Sequence, residues 1–123
     1  MPGPIFVVSD DPAVADEIRL ALPSDIKVVT ALDARDAVGV LEHTTPAAVI
    51  VDLMTGRAGG FALAKDMSQT GRLAGILIVV LIERDQDRWL AGEAGAARIL
   101  RKPVQGPDLL EALLSVLDET LSA

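Results

Sequence analysis

The sequence predicts an α/β fold built on a doubly wound, five-stranded parallel sheet. Five apolar runs of strand length alternate along the chain with segments of helical period, which is typical of α/β proteins. The strand-length runs are rich in Val, Ile and Leu and lack polar alternation, as parallel strands buried on both faces do. Right-handed crossovers between such strands give a sheet whose ligands bind beyond the carboxyl ends of the strands.

Each element is predicted from its local pattern. Asp11 offers an N-cap carboxylate, and Pro12 suits the first position of a helix. Leucines at helical spacing, from Leu109 to Leu117, give the last helix a broad apolar stripe. The predicted strands are residues 4–9, 26–31, 47–52, 75–81 and 97–101, and the predicted helices are residues 12–22, 33–43, 60–70, 84–94 and 106–121.

Length and composition limit the class of protein. A chain of 123 residues has the usual size of one domain, so we expect residues 1–123 to form a single domain. Its formal net charge of -7 disfavours direct binding to nucleic acid or to an anionic membrane. The absence of Cys fits a reducing cytoplasm, and no apolar run approaches the ~20 residues that span a bilayer. We therefore expect a soluble, cytoplasmic protein whose partners are other proteins.

Charged side chains follow three of the predicted strands at the point where each strand ends. They are Asp10 and Asp11 after the first strand, Asp52 at the end of the third, and Arg101 and Lys102 at the end of the fifth. Because the carboxyl ends of parallel strands share one edge, we expect carboxylates and an ammonium group to converge there. Neighbouring carboxylates repel one another unless a cation lies among them, and their oxygen atoms suit Mg²⁺. The sequence therefore predicts a metal and phosphoryl site at this edge.

The first turn differs from the glycine-rich turn that holds a nucleotide phosphate. Such a turn presents backbone N–H groups to the phosphate, whereas Asp10, Asp11 and Pro12 stand here. Two carboxylates would repel a phosphate. A small enzyme or carrier that binds flavin or nucleotide on the same sheet is therefore a disfavoured alternative, which a copurified cofactor would revive.

Taken together, these residues resemble the receiver domains of two-component response regulators, and the resemblance covers essentially the whole chain. It depends on the acidic first turn, on Asp52, on Lys102-Pro103, and on the segment at 93–96 before the fifth strand. The resemblance implies a flavodoxin-like (βα)₅ fold with strand order 2-1-3-4-5. It also implies a phosphorelay signalling domain rather than an enzyme, with a histidine kinase or phosphotransfer protein as partner.

The resemblance implies a role for each site residue. Asp52 would be the phosphoacceptor, and Lys102 would pair first with its carboxylate and then with the phosphoryl oxygens. Asp10 would be the main acid that binds Mg²⁺, together with Asp52 and the backbone carbonyl of Met54. Asp11 has two interpretations, as the N-cap of the first helix and as a further metal ligand. The Lys102-Pro103 bond is commonly cis in this family.

Three of the positions at which the chain departs from the family concern the site and its switch. Ser9 stands where a second acid is usual, which removes one carboxylate that supports the metal. Counting back from Lys102, the Thr or Ser expected at the end of strand four falls on Val80, which has no hydroxyl. Ile99 replaces the Tyr or Phe that turns inward on activation, and the chain contains no Tyr. The usual switch positions are therefore degenerate.

These departures leave one main alternative, a pseudo-receiver that acts as an interaction or dimerisation module without phosphorylation. Taken alone, Asp52 could have a purely structural role, as a polar residue at a strand end or as a helix cap. Trp89 is interpreted either as a packing residue or as a contact anchor on the fourth helix, where a homodimer through helices four and five would form. The sequence also leaves open whether the chain is one domain of a longer regulator.

Overall fold

The computed structural model describes residues 3–32, 34–53, 59–69, 71, 73 and 75–122, without the side chains at 34, 59–62, 68 and 116–122. Strands and helices alternate throughout this part of the chain. The strands are β1 (Ile5–Val8), β2 (Val28–Ala31), β3 (Ala48–Asp52), β4 (Ile78–Ile82) and β5 (Arg98–Arg101). The helices are α1 (Pro12–Ala21), α2 (Ala34–Leu41), α3 (Gly59–Gln69), α4 (Arg88–Glu93) and α5 (Gly106–Ser122), with a 3₁₀ turn (Asp85–Asp87) before α4.

The five strands form one parallel sheet in the order β2-β1-β3-β4-β5, which confirms the predicted fold. The register pairs Val8 with Val51 and Asp52 with Leu81. In a sheet of this winding, the carboxyl ends of β1 and β3 lie side by side near the centre. The residues that follow β1 and end β3 are therefore neighbours in space.

Both faces of the sheet are covered by helices, as the continuously apolar strands require. One face packs against α2, α3 and α4, with Phe6 and Met67 among its buried side chains. The other face packs against α1 and α5, where Ile18 and Leu113 are buried. The core is almost entirely aliphatic, and its burial fixes the positions of the strand ends that build the site.

Two helix ends follow from short sequence signals. The side chain of Asp11 accepts a hydrogen bond from the backbone N–H of Ala13 at 3.0 Å, and Pro12 opens α1, as predicted. At the end of α4, Gly95 has a φ of 89°, a conformation that glycine adopts without steric cost. The N–H of Ala96 then bonds to the carbonyl of Ala91 at 3.2 Å, which closes the helix.

The fourth βα connection differs from its prediction. A helix over 84–94 was expected, but a 3₁₀ turn over Asp85–Asp87 precedes a shorter α4. Asp favours turns over helix interiors because its side chain competes for backbone hydrogen bonds, which explains why a 3₁₀ turn stands before the helix. Strand β4 ends at Ile82, one residue beyond its predicted end. Of the helices that the structure describes, none is long and apolar enough to cross a membrane.

Candidate functional site

Asp52 and Lys102 are in direct contact although 50 residues separate them. Asp52 ends β3 with a side chain that is 2 % exposed, and Lys102 follows β5 with a side chain that is 16 % exposed. Lys102 Nζ donates to Asp52 Oδ2 at 2.8 Å, and the Lys102-Pro103 peptide bond is cis. The fold thus brings this predicted carboxylate and this predicted ammonium together at one edge of the sheet.

Ser9 is a third member of this buried group. Its hydroxyl donates to Asp52 Oδ2 at 3.0 Å and accepts the backbone N–H of Asp11 at 3.1 Å. A serine hydroxyl has one proton, so accepting from Asp11 leaves that proton for Asp52. Sequence reasoning treated Ser9 only as a lost carboxylate and missed this hydrogen bond. The position of Ser9 in the sequence could have indicated this bond. Ser9 directly follows Val8, and Val8 pairs in register with Val51, the residue before Asp52.

The other predicted metal ligands lie around this group. Asp10 directly follows Ser9 and is exposed, whereas Asp11 is partly buried and caps α1 through Ala13. Met54, whose carbonyl was predicted to bind metal, lies outside the described residues. No three His, Asp or Glu residues within the described ranges lie close enough together to hold a metal ion.

Opposing influences set the charge of Lys102. Burial by itself lowers the pKa of the Lys102 ammonium, but the hydrogen bond and negative charge of Asp52 outweigh that effect. Glu83, whose Oε1 lies 3.6 Å from Nζ, and Asp11 add further attraction. The pKa of Lys102 is therefore raised above its ordinary value of 10.5, and the side chain is a cation at neutral pH.

A groove of about 550 Å³ opens beside the Asp52–Lys102 pair. Among its described lining residues are three carboxylates, those of Asp11, Glu17 and Glu83, and a single cation, that of Lys102. The groove runs between the start of α1 and the loop that joins β5 to α5. Sequence reasoning did not identify Glu17 or Glu83, because only the folded chain places them beside the site.

The two predicted switch positions are neighbours within the sheet. Val80 pairs in register with Ile99 on one side and with Val51 on the other, and its side chain is fully buried. The count that put the family's strand-end Thr or Ser on Val80 does not reach the end of β4, because the strand continues to Ile82, whose carbonyl accepts the N–H of Lys102 at 2.7 Å. The strand-end residue, Ile82, likewise lacks a hydroxyl.

Trp89 lies on the surface of α4 and is 69 % exposed, so its interpretation as a packing residue is wrong. Leu90 beside it is 37 % exposed, and Leu114 on α5 is 54 % exposed. These apolar side chains belong to the two helices on which a homodimer was predicted. Their exposure is compatible with contact to another protein.

Comparisons with known proteins agree on one family. The model of the response regulator receiver domain matches residues 5–114. The response regulator MprA of Mycolicibacterium vanbaalenii is 31 % identical over 121 residues, which are 98 % of this chain and 52 % of that protein. This chain thus spans about half the length of the curated relatives that it matches.

Solved structures give the same result for the fold. A candidate response regulator from Chloroflexus aurantiacus superposes with a TM-score of 0.90 at 25 % identity, covering 96 % of this chain and 99 % of that one. A CheY-like receiver domain protein from Methanospirillum hungatei superposes with a TM-score of 0.87 at 22 % identity, covering 99 % of this chain and 98 % of that one.

Proposed function

Since this chain belongs to the family of response regulator receiver domains, which serve two-component signalling, we propose that Asp52 is its phosphoacceptor. The observation that carries the proposal is the contact between the buried Asp52 carboxylate and Lys102 Nζ at 2.8 Å. A carboxylate oxygen of Asp52 forms a bond to phosphorus while the bond from phosphorus to the donor breaks. The donor group leaves with the electron pair, and an acyl phosphate remains on Asp52.

Two neighbours of Asp52 support this step. The ammonium of Lys102 offsets the negative charge of the phosphoryl oxygens, which a compact cation on a long side chain does well. The hydroxyl of Ser9 holds Oδ2 of the same carboxylate at 3.0 Å and limits its rotation. Ser9 is thus a positioning residue, because its only proton is directed at Asp52.

Members of this family typically bind Mg²⁺ at the phosphorylation site. In this chain we propose Asp10 and Asp52 as the carboxylate ligands, with the Met54 carbonyl, and Asp11 as an outer ligand through water. Mg²⁺ usually keeps several waters and needs only one or two carboxylates, so this donor set fits a weak magnesium site. The ion would supply charge compensation for the transferred phosphoryl group.

Partners and location follow from the same proposal. The donor would be a histidine kinase or a phosphotransfer protein in the cytoplasm, which the absence of Cys also fits. A homodimer through α4 and α5 is proposed from the exposed Trp89 and Leu114. The negative charge of the chain argues against direct contact with nucleic acid or membrane.

Intact-mass spectrometry tests the phosphoacceptor. The protein is incubated with Mg²⁺ and phosphoramidate, a small donor whose phosphorus–nitrogen bond resembles that of phosphohistidine. We expect a mass gain of one phosphoryl group that is lost in Asp52→Asn and retained in Asp25→Asn, an exposed aspartate in the loop before β2. A gain that persists in Asp52→Asn would identify another acceptor. No gain in any of the proteins would favour the pseudo-receiver.

A further inference from the structure

Lys102 is shared between the buried carboxylate and a second acid at the mouth of the groove. Its Nζ lies 2.8 Å from Asp52 Oδ2 and 3.6 Å from Glu83 Oε1. Asp52 is 2 % exposed, whereas the side chain of Glu83 is 55 % exposed. Glu83 therefore lies on the solvent side of the ammonium.

The neighbouring arginines do not offset this acidity within the groove. Arg84 pairs with Asp87 at 3.4 Å, and Arg101 pairs with Asp85 at 3.1 Å. Both aspartates belong to the 3₁₀ turn before α4 rather than to the groove. Lys102 is the only cation among the described lining residues, against three carboxylates, so this described lining carries a net negative charge.

We propose that Glu83 is a selectivity residue that slows phosphorylation of Asp52 by small anionic phosphodonors. This inference depends on the proposed role of Asp52. A free donor must bring its phosphoryl oxygens to the Lys102 ammonium, and the Glu83 carboxylate opposes it there by charge repulsion and by competition for the same cation. A phosphohistidine on a protein meets less opposition, because the side chains of that protein screen the phosphoryl charge.

The extent to which Glu83 slows phosphorylation is predicted to depend on the charge of the phosphodonor. Acetyl phosphate is a dianion at neutral pH, whereas phosphoramidate is largely a monoanion because its nitrogen carries an extra proton. With acetyl phosphate, the bond from Asp52 to phosphorus forms as the bond from phosphorus to the acetate oxygen breaks, and acetate leaves with the electron pair. The approach of the dianion is the part of this reaction that Glu83 opposes.

The test compares initial phosphorylation rates, measured by intact mass at limiting donor and fixed Mg²⁺. The wild type is compared with Glu83→Gln and with Glu42→Gln, a matched change at an exposed glutamate that follows α2. Glu83→Gln should raise the rate with acetyl phosphate about fivefold and with phosphoramidate about twofold, as rim charges do for association rates. Glu42→Gln should match the wild type with both donors.

The dependence of the phosphorylation rate on ionic strength distinguishes a charge effect of Glu83 from a merely structural effect. Salt screens exposed charges, so it should raise the phosphorylation rate of the wild type with acetyl phosphate. The difference between this rate and that of Glu83→Gln should therefore become smaller. A variant that only disturbed Lys102 would be slower, not faster. Equal rates for Glu83→Gln and Glu42→Gln, with Asp52 still phosphorylated, would overturn the role of Glu83 and leave the proposed function standing. No phosphorylation of any protein by either donor would overturn both.

Discussion

The hydroxyl of Ser9 donates a hydrogen bond to Oδ2 of Asp52 at 3.0 Å, and both side chains are buried. Ser9 directly follows β1 and Asp52 ends the neighbouring strand β3, so the bond links the ends of these two strands at the centre of the site. The same oxygen also accepts from Lys102. A neutral donor thus occupies a place where the family usually has another negative charge, and the cluster needs less cationic compensation.

Replacement of Ser9 by alanine should destabilise the domain by about 1–3 kcal/mol. The change removes one hydrogen-bond donor from Asp52 and the acceptor of the Asp11 backbone N–H, both at or near the buried site. Chemical denaturation followed by circular dichroism measures the loss. Ser24→Ala, at an exposed turn position, is the matched control and should stay within about 0.5 kcal/mol of wild type. Equal stabilities for the two variants would contradict the buried bond.

Lys102→Met should cost about 3 kcal/mol of unfolding free energy in the wild-type background. The reason is that the carboxylate of Asp52 stays buried while its cationic partner is gone. In the Asp52→Asn background the same substitution should cost about 1 kcal/mol or less, because no buried negative charge remains to be compensated. A double-mutant cycle from urea unfolding gives the difference. An identical cost in both backgrounds would show that the ion pair contributes nothing to stability.

The raised pKa of Lys102 predicts a loss of stability at alkaline pH. The folded state holds this proton more tightly than the unfolded state, so the contribution is complete below the unfolded pKa of 10.5 and is lost as pH rises through the higher folded pKa. Unfolding free energies of wild type and Lys102→Met should therefore converge in strongly alkaline solution. The exposed Lys27 provides the control, since the unfolding free energy of Lys27→Met should fall with rising pH as that of the wild type does. Parallel pH profiles for wild type and Lys102→Met would refute the prediction.

Val80→Thr should destabilise the domain by about 1–3 kcal/mol and should not restore a hydroxyl contact to the site. Val80 is fully buried in the middle of β4, between Val51 and Ile99, so a new hydroxyl there would lie among apolar side chains. Denaturant midpoints measure the cost. The control is Val38→Thr on α2, where the side chain is 47 % exposed and the effect should be small. A stable Val80→Thr with a longer-lived phosphoryl group would restore the original assignment.

The fold was predictable because its signals are local and strong. Apolar runs without polar alternation located all five strands, and Asp11-Pro12 located the start of α1. The contact between Asp52 and Lys102 was predictable from topology, since Asp52 ends one strand of the parallel sheet and Lys102 follows another.

The remaining features of the site depend on geometry that no local pattern encodes. The hydrogen bond of Ser9 requires the register of β1 against β3, and the position of Glu83 requires the length of the connection after β4. Counting residues between distant motifs assumes that intervening loops are invariant, and loops are where chains tolerate insertions and deletions best.

Strand β5 lies at the edge of the sheet, and it begins and ends with arginine. Arg98 is held by Ser115 of α5 and Arg101 by Asp85, so both guanidinium groups stay beside the outermost strand. Charged side chains along an open edge discourage another chain from adding a strand there. Addition of a strand from another chain is therefore disfavoured at this edge of the sheet.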